Sequence, residues 1–196
     1  MKKILLLSVF IVSQLLINGQ TFEDFIVYVN SLPTGDRQTE TDNFIDTASG
    51  FPYTETGFAH FIYTGSLSSC ACPGDFSGWD PTQAAMTNIV GTDFWYRTYE
   101  FDNEARLDYK FVLNGSSWIL DPRNPYTCPG GFGDNSELRM PDYIPPLEIE
   151  YYPEIPHGSI FDTTFYSDLL NNSRTIRVYT PPGYDQSDFE YPVVIV

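Results

Sequence analysis

The sequence predicts a mainly β protein, an antiparallel β-sandwich preceded by short helices. Three observations carry that prediction. The stretch Gly74 to Pro125 holds β-patterned runs (GDFSGWDP, DFWYRTYEF, RLDYKFVLNGSSWILDPRNP) separated by turn residues, and it contains Trp79, Trp95 and Trp118, the three tryptophans of the chain. Strand alternation sends Leu107, Tyr109 and Phe111 one way and Arg106, Asp108, Lys110 and Val112 the other, which gives one core face and one wet face. An aromatic content of 16% with 15 prolines and 14 glycines suits sheet and turns rather than a helical bundle.

From the start of the chain, residues 1–19 (MKKILLLSVFIVSQLLING) read as a secretory signal peptide. Two lysines precede an apolar stretch that is too short for a membrane-spanning helix, and cleavage is expected after Gly19. The alternative is an uncleaved anchor. The mature protein is therefore expected to be secreted, extracellular or periplasmic. The net charge of -16 becomes -18 once Lys2 and Lys3 leave with the signal, which argues against nucleic acid and anionic membrane surfaces as partners.

Residues 20–55 form a helical N-terminal segment. Phe22, Phe25, Ile26 and Val29, then Phe44, Ile45 and Ala48, recur at helical spacing, with a break at Leu32-Pro33-Thr34-Gly35. Gly57 to Thr64 is the first expected strand and Leu67 to Cys72 the second. Ser77-Gly78 and Asn114-Gly115 are expected to close hairpins by reaching positive φ.

Cys70 and Cys72 share a strand face, which does not suit a bond between them. An exported location permits one of them to pair with Cys128, with Cys72–Cys128 carried as the possible disulfide, and leaves one thiol free; spacing does not decide which. No metal site and no cofactor are expected, since a fourth zinc ligand is missing and His60 and His157 are remote from the cysteines.

GDFSGWDP, DYKFVLNGSSW, DPRNP and the following GDNSEL together resemble the family-48 carbohydrate-binding module, an early-set immunoglobulin-like domain, over residues 56–143. The resemblance implies a sugar platform of Trp79, Trp118 and Lys110, with Asn135 as a polar contact. The residues fit that role chemically. A pyranose face stacks on an indole, and Lys110, the sole lysine after residue 3, supplies a donor for hydroxyls. The competing account has the two tryptophans capping the sandwich and Lys110 offsetting nearby acids.

Residues 144–156 lie within a stretch from Pro141 to Pro156 that holds five prolines and no glycine, and they are expected to form an extended, stiff linker. After it, GSIFDTTFYSDLLNNSRTIRVYTPPGYD and FEYPVVIV (157–196) resemble the opening of the α/β-hydrolase esterase family that includes enterochelin and feruloyl esterases. Pro192 to Val196 is read as a strand buried on both faces, so the 196 residues are expected to be the front of a longer polypeptide. The resemblance implies a serine carboxylic ester hydrolase whose substrate is a polysaccharide or oligosaccharide ester.

No G-x-S-x-G elbow occurs in the chain. Gly74-Asp75-Phe76-Ser77-Gly78 has one residue too many, and no catalytic residue is named before Val196. Asp75, Asp80 and Asp121 sit in turns, where aspartate bonds nearby amides, and are not read as a glycosidase pair. Two other functions compete: a non-catalytic starch- or glycogen-binding module of a glycoside hydrolase, and a structural spacer.

Overall fold

The computed structural model describes residues 21–195, so the expected signal peptide lies outside the described residues. The chain divides into two compact units, one ending at Ile144 and one opening at Pro145.

The first unit is layered. Two helices, α1 (Phe22–Ser31) and α2 (Arg37–Thr47), meet at the expected Leu32-Pro33 break. A capping box starts α1: the Thr21 hydroxyl accepts from the Asp24 amide at 3.2 Å, and Asp24 accepts from the Thr21 amide at 3.0 Å. Arg37 then caps the other end of α1, donating to the carbonyls of Leu32 and Asn30, where the helix dipole favours a cation.

The helices cover one face of a sheet ordered β1 (Tyr53–Glu55), β2 (Phe58–Thr64), β5 (Phe94–Glu100), β4 (Thr87–Asn88). Phe22, Phe25, Val29 and Phe44 pack there on Ile62, Ile89 and Phe94. The opposite face of the same sheet, Ala59 and Phe61 with Tyr63, meets a second layer. Both sides of β2 are thus occupied, which is why FAHFIYT reads as a continuous apolar run rather than an alternation. The β1 hairpin was not expected from sequence; Gly57 at φ 80 closes it.

The second layer is built around one run, β6 (Arg106–Tyr109) continuing through Lys110 into β7 (Phe111–Leu113). On one side of this run lies β3 (Cys70–Ala71), extended by an antiparallel bridge from Gly74 to Tyr109. A Cβ on Gly74 would fall 2.4 Å from the Asp108 carbonyl oxygen, so glycine is needed for this approach. On the other side the partner changes from β8 (Ser117–Ile119), opposite β7, to β10 (Asn135–Arg139), opposite β6; β9 (Thr127–Cys128) flanks β10. The inward set Leu107, Tyr109 and Phe111 packs in the core, as alternation predicts.

Two turn expectations separate here. Asn114 and Gly115, at φ 51 and 78, form the expected hairpin turn. Ser77-Gly78 closes no hairpin: Asp75–Ser77 is a single 3-10 turn that ends where Gly78 turns left-handed.

The second unit begins with a 3-10 turn at Leu147–Ile149 within the proline-rich segment. It continues as an antiparallel ribbon of β11 (Ser159–Ser167) and β12 (Asn172–Thr180). Register puts Phe161, Val178, Thr163, Ile176, Phe165 and Arg174 on one face. The other face carries the solvent-exposed Asp162–Arg177 ion pair. Among the described residues Val193, Val194 and Ile195, in the run read as a strand of a larger sheet, are exposed and have no ladder partner.

Candidate functional site

Lys110 stands where the central run changes partners, and that position shapes the surface around it. Strand parity puts Lys110 and Val112 on the outward face. Val112 lies opposite Trp118, and the next step of the register brings Leu120 opposite Lys110. Val112 is nonetheless buried, while Trp118 keeps 46% of its surface exposed and Leu120 is exposed beside it. The outward face is therefore an indole and a leucine beside an ammonium, on two hydrogen-bonded strands.

Between β8 and β10 the chain makes a detour whose shape is set by a buried polar cluster. The Tyr109 hydroxyl donates to Asp121 Oδ2 at 2.6 Å and accepts from Asn124 Nδ2 at 3.1 Å. The Asp121 amide donates to the Ser136 hydroxyl at 2.7 Å. Asp121, Asn124 and Ser136 are all buried. Burial pushes the Asp121 carboxyl above its ordinary value against the Tyr109 hydrogen bond, and burial with the adjacent Asp121 charge holds the Tyr109 hydroxyl well above its own. The DPRNP motif is thus a structural anchor. Asp80, by contrast, makes a local turn, accepting from the Thr82 amide and hydroxyl.

The detour ends in Gly130-Gly131-Phe132-Gly133, which leaves the Phe132 side chain fully exposed. Lys110 Nζ lies 3.5 Å from the Phe132 carbonyl oxygen. Sequence reasoning passed over Phe132; the available signal was one large apolar residue among glycines, with no periodic neighbours to pull it into a core.

Of the four residues expected to form the platform, Trp118 and Lys110 share the outward face. Asn135, only 8% exposed, sits beneath the Phe132 loop: its Nδ2 donates to Asp108 Oδ2 at 3.1 Å, and a Cβ on Gly130 would come 2.5 Å from that same nitrogen. Trp79 is joined to the central run through Asp75. Its indole Nε1–H donates to Asp75 Oδ1 at 3.0 Å, while Asp75 Oδ2 accepts from the Asp108 amide at 2.9 Å. The Trp79 indole N–H is thus occupied by Asp75, and Trp79 and Lys110 are both half-buried.

Beside Asn135 the outer face of β6 and β10 carries ions. Arg106 lies against Asp108 and Glu137, and Arg139 against Glu137. Burial raises the Glu137 carboxyl, but hydrogen bonds from Arg106 and Arg139 outweigh it and hold the group below its ordinary value. The three cysteines are free thiols, so the possible Cys72–Cys128 disulfide is not formed in this structure. Cys72 is enclosed in the sandwich core, whereas Cys128 opposes Asn135 at the outer ladder.

His60 is the buried histidine, and its partners argue for anchorage. Thr98 Oγ1 lies 2.9 Å from Nδ1 and Glu55 Oε2 lies 3.2 Å from Nε2, while Glu55 Oε1 accepts from the Phe22 amide at 2.9 Å. The series ties β1, β2 and β5 to the start of α1, and the Phe22 ring packs 4.3 Å from the imidazole. A cleft of about 480 Å³ adjoins it, lined by Ile26, Phe58 and Thr98 among others, with none of the expected sugar-contacting residues on its wall. His157 is exposed and stacks on Tyr151.

No family model matches the chain, and no curated protein matches it. Solved structures do. The enterobactin esterase from Shigella flexneri, determined in the presence of enterobactin, is 23% identical with a TM-score of 0.43, over 62% of this chain and 39% of that one. The ferric enterobactin esterase from Salmonella typhimurium is 19% identical with a TM-score of 0.49, over 69% of this chain and 45% of that one. The chain spans less than half the length of either esterase.

Proposed function

We propose that these residues are the N-terminal part of a secreted carboxylic ester hydrolase acting on carbohydrate-linked or siderophore-type esters, in which the sandwich binds glycan through an exposed aromatic platform. The observation that carries the binding half is the outward face of β7 and β8. Trp118 and Leu120 are exposed beside Lys110, with fully exposed Phe132 next to them, on strands whose inward residues build the core. An open face with rings and one ammonium suits stacking on sugar faces, with a hydroxyl read at the edge.

The hydrolase half rests on the motifs after residue 157 and on the ribbon they form. Phe161, Phe165 and Ile176 are exposed on one face of β11 and β12, beside Thr163 and Arg174, and a two-stranded ribbon is marginal alone. On this reading the acyl-serine machinery lies in sequence after Val196, and the polypeptide works outside the cell on polysaccharide or oligosaccharide esters.

Affinity electrophoresis of the 196-residue chain on glycogen, starch and arabinoxylan tests the binding half. Retardation on at least one, reduced by Trp118→Ala, is expected; unretarded migration on all three refutes it. Hydrolysis of p-nitrophenyl acetate and methyl ferulate by the product of the extended reading frame tests the other half. An inactive extended product would remove the esterase reading.

A further inference from the structure

We infer that Asp75 is a positioning residue: it holds the Trp79 indole in a fixed attitude and couples it to the strand that carries Lys110. The inference rests on the glycan-platform reading above and deepens it.

Trp79 has φ 61, in the left-handed region that a bulky residue occupies only when its surroundings impose it. The imposing contacts are visible. The Trp79 amide donates to the Gly74 carbonyl at 3.0 Å, so the backbone is folded back over the 3-10 turn. The indole Nε1–H then reaches Asp75 Oδ1 at 3.0 Å. The other oxygen of the same carboxylate takes the Asp108 amide at 2.9 Å, two residues before Lys110. Asp108 in turn holds Asn135 through Oδ2 at 3.1 Å. Its Oδ1 lies 2.6 Å from the Arg106 guanidinium, an ion pair not aligned as a hydrogen bond.

A continuous path therefore runs from Trp79 through Asp75 to Asp108 and on to Asn135. Two aspartates link three surface elements that are separate in sequence: the 74–79 turn, the central run and the start of β10. Neither aspartate needs to touch a sugar. A carboxylate bridging an indole N–H and a strand amide fixes the ring with two charge-assisted hydrogen bonds, where a free tryptophan side chain would sample several rotamers. Ordering the ring before a ligand arrives removes an entropic cost from stacking.

The test uses the 196-residue chain with three variants: Asp75→Ala, Trp79→Phe and the double variant. Trp79→Phe keeps an aromatic face but has no N–H for the carboxylate. Asp75→Ala is expected to speed hydrogen exchange at the Trp79 indole N–H about fivefold or more, as loss of one hydrogen bond implies, and to weaken glycan binding about 5- to 10-fold. In the Trp79→Phe background the same substitution should change affinity less than twofold, because the interaction it would break is already gone. Unchanged indole exchange in Asp75→Ala overturns the inference, and so do fully additive losses in the double variant. A wild type that binds no glycan while its indole still responds to Asp75→Ala refutes the platform reading and leaves the anchorage of Trp79 standing, so the two failures are distinguishable.

Discussion

Replacing Tyr109 by phenylalanine removes one oxygen from the buried cluster that shapes the detour between β8 and β10. The ring contacts survive, so the transfer and cavity contributions are small; the loss is the hydroxyl. Asp121 keeps the Arg123 amide on Oδ1 but loses its donor on Oδ2, and Asn124 loses an acceptor while keeping the Glu137 carbonyl. A buried acceptor left without its donor costs about 1–3 kcal/mol. At about 2 kcal/mol and roughly 3–6 °C per kcal/mol for a domain of this size, Tm should fall by roughly 6–12 °C at pH 7. The pH dependence gives a second handle. Burial already raises the Asp121 carboxyl, and the Tyr109 hydrogen bond opposes that rise. Without the hydroxyl the carboxyl rises further, so its ionised form is disfavoured more strongly in the folded variant. A group with a raised folded value destabilises the fold when ionised, and that cost fades as pH falls through the folded value. The deficit should therefore be largest near neutrality and shrink toward pH 4. Urea unfolding followed by circular dichroism at pH 7 and pH 4.5 measures both. A difference under about 0.5 kcal/mol at pH 7, within the range of an ordinary surface change, or an equal difference at both pH values, refutes the reasoning.

Three further outcomes are expected. Phe132→Ser should leave stability within about 0.5 kcal/mol, since the side chain touches no core, while lowering glycan affinity by about 1–3 kcal/mol; a drop in Tm with unchanged binding would reverse that assignment. Burial pushes the His60 imidazole below its ordinary value of 6.5 against the raising influence of Glu55, so the fold favours the neutral ring. That contribution is complete above pH 6.5 and is lost as pH falls from there through the folded value. Thermal melts between pH 7 and pH 5 should fall more steeply for wild type than for His60→Gln, and parallel slopes would contradict the burial argument. Burial also pushes the Cys70 thiol to about 12 and Cys128 to about 11, and raises Cys72 by the same cause. Iodoacetamide at pH 8 should leave Cys70 and Cys72 unmodified in the native chain and label three thiols after denaturation; one thiol under those conditions would show that a disulfide had formed.

What the sequence made legible was whatever depends on short-range periodicity. Leu107, Tyr109 and Phe111 were assignable to the core by a period of two, while the same count put Lys110 and Val112 on the other face, where Lys110 is half-buried and Val112 is buried all the same. The helices were legible from Phe22, Phe25 and Val29, and their end from Leu32-Pro33. β1 was not, because Tyr53–Glu55 is three residues long and its strand character comes from pairing with His60, Ala59 and Phe58. Residues 192–195 keep their β-branched preference without a ladder, since a strand exists only when a neighbouring backbone accepts its hydrogen bonds.

The site divides along the same line. Trp118 and Lys110 are on one surface because alternation and the Asn114-Gly115 turn fix the register between β7 and β8. Asn135 could not be placed that way. Its burial follows from where β10 starts, and that start is set by Ser136 meeting the Asp121 amide and by the close approach of Gly130, contacts between segments with no shared period. Trp79 depends on a carboxylate that reaches a strand more than thirty residues away, and a left-handed tryptophan has no composition signal. Motifs can therefore single out residues without showing what holds them in place. What holds them are Asp75, Asp108 and Asp121, three aspartates of an acidic chain whose carboxylates accept from a strand amide, an asparagine side chain and a buried tyrosine hydroxyl.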